Sequence, residues 1–384
     1  MTILDEALER LRDTGPERGG WLSNHAPMAA EAMTRHGHGR VVHRWIDAYS
    51  LEERPRGIAP IEPDQWREPL GDPVRTGDWI AFFERALREQ PWRDVLAVWW
   101  PRLLPGIAAG ATHGVIRVGH AVRSLLDAEA SPSPSAPSPS APSLSRSSPS
   151  SPSLSAPSPS SSGPLLLAPS PVAASLLWPA PRVVELAHGL AYWAARWQPL
   201  APAGSGPYRA SDPRAALDAV PRVPDQRFGI RHRLAQLATL PSWPFAAVPG
   251  EGEPVDRLRG IVTAAVLRHH THGYGNAVML VHAATAPTAV LRTLPALPPG
   301  LHEPSVAAAW AATAAVTSAY SPATPRPVTA IDARDPDAVM DHAVESGDAH
   351  AIKFADAAIE MWQRDPDPVL LAASRHATEL ILNE

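Results

Sequence analysis

An all-α fold, one large helical domain of about a dozen helices, is predicted by three observations. Apolar residues recur at helical spacing along most of the chain, as Ile3, Leu4, Leu8 and Leu11 do in ILDEALERLRD. Proline and glycine punctuate these stretches at their ends. No segment sustains the period-2 alternation of a half-buried strand, and Val and Ile rarely cluster between turn dipeptides.

The helices are expected over 3–13, 26–36, 39–51, 78–89, 92–104, 107–128, 171–197 (interrupted by Pro179 and Pro181), 227–240, 255–270, 275–294, 303–320, 336–346, 348–364 and 368–383. The helix over 26–36 is placed by Ser23-Asn24, which are capping residue types, and by Pro27, which a first turn tolerates. The next stretches carry aromatic groups: Trp79, Phe82 and Phe83, then Trp92, Trp99 and Trp100, and later Trp193 and Trp197 at i, i+4. Such stripes are read as core packing. In 107–128, Gly110, Gly114 and Gly119 remove side chains where another helix or a ligand can approach.

Residues 131–162 differ in kind. They hold nine prolines and 17 serines in 32 residues, with too few apolar side chains to offset the entropy of ordering. They are read as a disordered insertion within one helical domain formed by 1–130 and 163–384; two domains split at this linker is the alternative.

The 384 residues contain no cysteine, which excludes disulfides, thiolate-bound zinc, iron–sulfur clusters and thiol nucleophiles. With 34 basic and 39 acidic side chains the net charge is −5, so no general attraction to nucleic acid or an anionic membrane is expected. No apolar run long enough to span a bilayer is read from the sequence, and the acidic amphipathic N-terminus does not resemble a signal peptide. A cytoplasmic protein is the expectation. No dinucleotide fingerprint, P-loop, nucleophile elbow or His-Glu-x-x-His motif occurs.

Histidine and lysine carry the chemical signal. There are 16 histidines, and 33 arginines stand beside a single lysine, Lys353. In ATHGVIRVGHAVRSLL, His113 and His120 lie two turns apart on one face, with Arg117 between them. In RHHTHGYGNAVMLVHAATAP, His269, His270 and His272 are read as an exposed helix end, whereas His282 sits in an apolar helix and needs a hydrogen-bond partner or a metal. In SGDAHAIKFADAAIEMW, His350 and Lys353 share a helical face among alanines. A buried amine loses pKa and becomes a nucleophile able to form a Schiff base or, with CO2, a carbamate, which arginine cannot. Glu185 and His188 form one isolated Glu-x-x-His pair, read as chance. Glu31, Asp47, Asp78, Glu84 and Asp94 are read as solvated or capping.

Four blocks carry a resemblance: LSNHAPMAAEAM (22–33), FFERALREQPWRDVLAVWWPRLLPGIAAGATHGVIRVGHAVRSL (82–125), GYGNAVMLVHAATAPTAV (273–290) and GDAHAIKFADAAIEMW (347–362). Together and in this order they resemble the questin oxidase-like family. The resemblance implies a helical oxidoreductase whose fungal relatives oxidise anthraquinones, opening the quinone ring with O2. It further implies a mononuclear non-heme Fe(II) held by His25, His113, His282 and His350, with Lys353 as a carbamate and O2 as co-substrate. His120 is the alternative to His350. Arg117 and His120 are the implied catalytic residues, Arg117 as an oxyanion stabiliser; relatives often carry a histidine where this chain has Arg117. The partner implied is a small aromatic substrate. Two other readings stand beside it: a metal-free enzyme using Lys353 as an amine catalyst, and a helical small-molecule-binding protein.

Overall fold

The computed structural model describes residues 1–131, 180–201, 212–240, 251–327 and 333–384. The chain is all-α. The first helices are α1 (Ile3–Leu11), α2 (Ala26–Arg35), α3 (Gly39–Ala48), α4 (Thr76–Glu89), α5 (Trp92–Leu103) and α6 (His113–Ala130). After the break in the described residues come α7 (Pro181–Ala195), α8 (Pro213–Asp218), α9 (Ile230–Ala235), α10 (Pro254–His272), α11 (Ala277–Leu280) and α12 (His282–Thr293). The chain then forms α13 (His302–Tyr320), α14 (Pro336–Glu345), α15 (Ala349–Arg364) and α16 (Pro368–Leu382). Buried apolar side chains from both sides of 132–179 join one hydrophobic core. The expected insertion, Ser131 apart, lies outside the described residues, as do 171–179 of the helix expected over 171–197.

Four helices position everything that follows. The pairs α2–α6, α6–α12, α12–α15 and α15–α2 all pack together, closing a ring. Around it, α7 lies between α4 and α6, and α10 packs on α12, α13 and α16. The aromatic stripes are core: Trp79, Phe82, Phe83 and Trp99 form one edge-and-stack cluster, and Trp100 packs edge-on against Trp193. Helices α6 and α12 approach closely where Gly119 faces Ala289. A Cβ on Gly119 would lie 2.5 Å from the Ala289 Cβ and 2.6 Å from its Cα.

Helix boundaries depart from expectation where the backbone turns left-handed. The helix expected from 107 begins only at His113, because Gly110, Ala111 and Thr112 have φ of 52°, 56° and 66°. The helix expected over 275–294 is divided at Val281, so His282 opens α12 instead of lying inside a longer helix. A two-strand hairpin, β1 (Glu17–Arg18) with β2 (Leu22–Ser23), was not expected; it turns through Gly19 and Gly20, both at positive φ. The stretch Ala277–Ala296 is apolar and long enough to cross a membrane by length and composition, and 89% of it is buried inside the fold. Its apolarity belongs to the core.

Gly119→Ala should force α6 and α12 apart, because the colliding atoms are backbone and Cβ and cannot swing away. A loss of about 1–3 kcal/mol of stability is expected from such overpacking, read as a lowered Tm by circular dichroism. An unchanged Tm would mean that the ring is looser than described.

Candidate metal centre

Each of the ring helices begins with an imidazole. His25 is the residue before α2, His113 and His282 open α6 and α12, and His350 is the second residue of α15. The local sequence fixes each ring. Asn24 donates to the Gly15 carbonyl and accepts from the Ala26 N–H, setting the chain at His25. Both the N–H and Nδ1 of His25 meet the Tyr49 hydroxyl, at 3.0 and 3.2 Å, and Arg18 Nε donates to the same oxygen at 3.0 Å. His113 Nδ1 donates to the Gly110 carbonyl at 2.6 Å, and a Cβ at Gly110 would crowd the Tyr192 hydroxyl at 2.8 Å. His282 Nδ1 donates to the Met279 carbonyl at 3.1 Å. Asp348 caps α15 through the His350 and Ala351 N–H groups and also accepts from His350 Nδ1 at 3.2 Å.

With Nδ1 protonated in His113, His282 and His350, their Nε2 atoms carry bare lone pairs. These atoms converge. His113 Nε2 lies 2.6 Å from His25 Nε2 and 3.0 Å from His282 Nε2. One ligand nitrogen from each of His25, His113 and His350 lies within 4.8 Å of the others. The His350 ring centroid is 4.5 Å from that of His25 and 5.5 Å from that of His282. Two nitrogens bound at right angles on ~2.1 Å bonds would be about 3.0 Å apart, which the His113–His282 pair meets. The His25–His113 pair, at 2.6 Å, is tighter and stands at the spacing of a shared proton.

Lys353 lies one turn beyond His350. It is 1% exposed, and among the described residues its Nζ has no hydrogen-bond partner. Burial pushes its pKa down from 10.5 to about 7, against a small opposing pull from Asp348. Burial holds His25, His113 and His282 well below the ordinary imidazole value, reinforced by the Lys353 charge and by one another. His350 is lowered by burial and partly held up by Asp348. The residues thus fit a cation: converging imidazole nitrogens, three of the rings aimed by a bond at Nδ1, beside a buried amine without a hydrogen-bond partner among the described residues.

His120 does not join this group. Its Nδ1 meets Glu31 at 2.7 Å and its Nε2 meets Arg292 at 3.3 Å, so both nitrogens are engaged elsewhere. Of the two alternatives it is His350 that stands with the other imidazoles. Nor does the Arg117 guanidinium meet them: it pairs with Glu185 at 2.5 and 2.8 Å, and among the described residues its buried Nη1 has no partner. The exposure expected of His269 and His272 and the solvation expected of Glu31 and Glu84 are corrected, whereas Asp78 caps as expected. His269 and His272 are buried, and His269 bonds the Ala277 carbonyl. Glu31 and Glu84 are buried in ion pairs with Arg123 and Arg54, and Asp78 is buried while capping the Ile58 and Ala59 N–H groups. Glu185 and His188 are both buried, but His188 bonds Glu84 and Glu185 holds Arg117. Sequence reasoning missed Tyr49, which leaves no local signal, and Asp348, whose place two residues before His350 is an N-cap signal.

The depressed Lys353 pKa predicts a pH effect. Between about 7 and 10.5 the unfolded chain holds a proton that the folded chain has shed, so metal-free protein gains stability as pH rises. Denaturant unfolding from about pH 7 to 9.5 should show this rise in the wild type and a flat profile in Lys353→Met; equal slopes would place the lysine charge in solvent. Comparison with known proteins gives no match to the chain, whether among protein-family models, curated proteins or solved structures.

Proposed function

We propose that the chain is an O2-dependent non-heme iron oxygenase that oxidises an aromatic, anthraquinone-type substrate, with the metal held by His25, His113, His282 and His350 and by a carbamate on Lys353. The observation that carries the metal centre is the meeting of imidazoles from four helices, His25, His113 and His350 with ligand nitrogens within 4.8 Å of one another and His282 Nε2 3.0 Å from His113 Nε2. Choice of iron and of substrate class rests on the four sequence blocks that resemble the questin oxidase-like family. Imidazole suits iron, and an anionic oxygen ligand offsets part of its charge.

Iron bound here would supply O2 activation; the protein supplies everything around it. Gly110, Met279 and Asp348 hold the Nδ1 protons of three ligands and so keep Nε2 bare. Tyr49 orients His25. Lys353, its pKa lowered to about 7 by burial, attacks CO2 as the neutral amine: an N–C bond forms, one C=O π bond of CO2 opens with its electron pair moving to oxygen, an N–H proton leaves to solvent, and the product is a carbamate monoanion. Trp45 stacks on Tyr49 at 4.9 Å and 20°, and so backs the hydroxyl that holds His25.

Elemental analysis of anaerobically purified protein tests the reading. About one iron per wild-type chain is expected, with loss of metal in Lys353→Arg, which keeps the charge but cannot form a carbamate. Full iron in the variant would overturn the carbamate. No metal in either, with borohydride trapping of a carbonyl substrate on Lys353, would establish the amine catalyst instead.

A further inference from the structure

The ring helices carry a second polar layer beyond the imidazoles, and each contributes to it. Glu31 lies six residues beyond His25, His120 and Arg123 seven and ten beyond His113, Arg292 ten beyond His282, and Asp356 six beyond His350. At ~1.5 Å per residue this layer sits about 9–15 Å along the helices from the imidazoles. Its contacts tie the helices together in pairs. Arg123 bonds Glu31 of α2 at 2.5 and 2.8 Å and Asp356 of α15 at 2.8 and 3.1 Å. Arg292 of α12 bonds Asp356 at 2.7 Å and Glu360 at 2.9 Å, and meets His120 of α6 at 3.3 Å. His120 closes the layer onto Glu31, and His36 at the end of α2 reaches Asp356 at 3.0 Å. Glu31, His120 and Asp356 are grouped as a metal site would be, but two guanidinium groups already occupy their oxygens.

We infer that this layer is a positioning device: Arg123 and Arg292, clamped to Glu31 and Asp356, fix the axial register of four helices and thereby the spacing of the four imidazoles at their ends. The inference rests on the metal-centre reading for its consequence. Apolar contacts between helices tolerate sliding, and a slide of one residue moves an imidazole by ~1.5 Å, three times the ~0.5 Å that a ligand set tolerates. Charge-assisted bonds from planar guanidinium groups do not slide.

Asp356→Asn keeps shape and removes one anion, while Arg123 retains Glu31 and Arg292 retains Glu360. Glu84→Gln, in the ion pair with Arg54 outside the ring, serves as the control for lost stability. Two readouts are taken beside Tm: Co(II) affinity with its visible spectrum, and the downfield imidazole proton of the His25–His113 bond by NMR of metal-free protein. Asp356→Asn should weaken Co(II) binding by about 10-fold or more, as lost outer bonds do, alter the spectrum and erase the shared-proton signal. Glu84→Gln should lower Tm and leave both readouts as in the wild type. Asp356→Asn with a lowered Tm but wild-type Co(II) affinity, spectrum and proton signal overturns the inference. If wild-type protein binds no Co(II), the metal reading fails, and the proton signal alone decides: its loss in Asp356→Asn upholds the positioning role, and its persistence overturns it.

Discussion

Five nitrogen bases buried where none can easily hold a charge form the constraint on which the rest of the structure depends. Two like charges 4 Å apart repel by about 4 kcal/mol even at an effective dielectric of about 20, and burial adds a further cost to each charge. The fold meets this by keeping the imidazoles neutral, with Nδ1 protons assigned to Gly110, Met279 and Asp348, and by lowering the Lys353 pKa to about 7. Arginine at 353 would stay charged and leave the centre with a buried cation it has no means to neutralise.

Charge is instead gathered in the next layer along the same helices. There Glu31, Asp356 and Glu360 face Arg123 and Arg292. Burial alone would raise the Glu31 and Asp356 carboxyls; the guanidinium groups hold Glu31 down to about 2 and Asp356 well below its ordinary value. A buried pair of this kind contributes little net stability, whereas removing one partner costs about 3–5 kcal/mol. Such a layer is therefore better understood as specifying which helix faces which, and at what height, than as a source of stability. A second buried string, Arg117–Glu185 with Arg54–Glu84–His188, ties α6 and α4 to α7 in the same manner.

What could be read from the sequence follows the range of the interactions. The start of α2 was legible because Asn24 and Pro27 act within a few residues of it. The burial of Lys353 was legible from the alanines around it and from the scarcity of lysine elsewhere. His113 and His120 share a face, and this made His120 an alternative ligand, yet seven residues along a helix is about 10 Å of height. That height puts His120 in the ionic layer and leaves the place to His350. Glu31 and Glu84 looked solvated because their partners, Arg123 and Arg54, are 92 and 30 residues away in the chain. The late start of α6 was hidden because Ala111 and Thr112 adopt a backbone conformation that neither residue type advertises.

The helix directions bear on Lys353 in the proposed metal centre. Because α2, α6 and α15 all begin at the cluster, the positive ends of three helix dipoles point at it. That field opposes protonation of the imidazoles, in accord with their lowered pKa values. It equally opposes a bare divalent cation surrounded only by neutral nitrogens, so a cation is retained there only with an anion at its side. Asp348 is engaged in capping α15 and holding His350, and Glu31 and Asp356 are held by arginines. Among the described residues the group left is the amine of Lys353, which has no hydrogen-bond partner there. As an amine it adds no negative charge; as a carbamate it supplies one, placed against helix starts that favour anions. The field of the fold thus argues for the carbamate over the free amine as the state of Lys353 when a metal is bound.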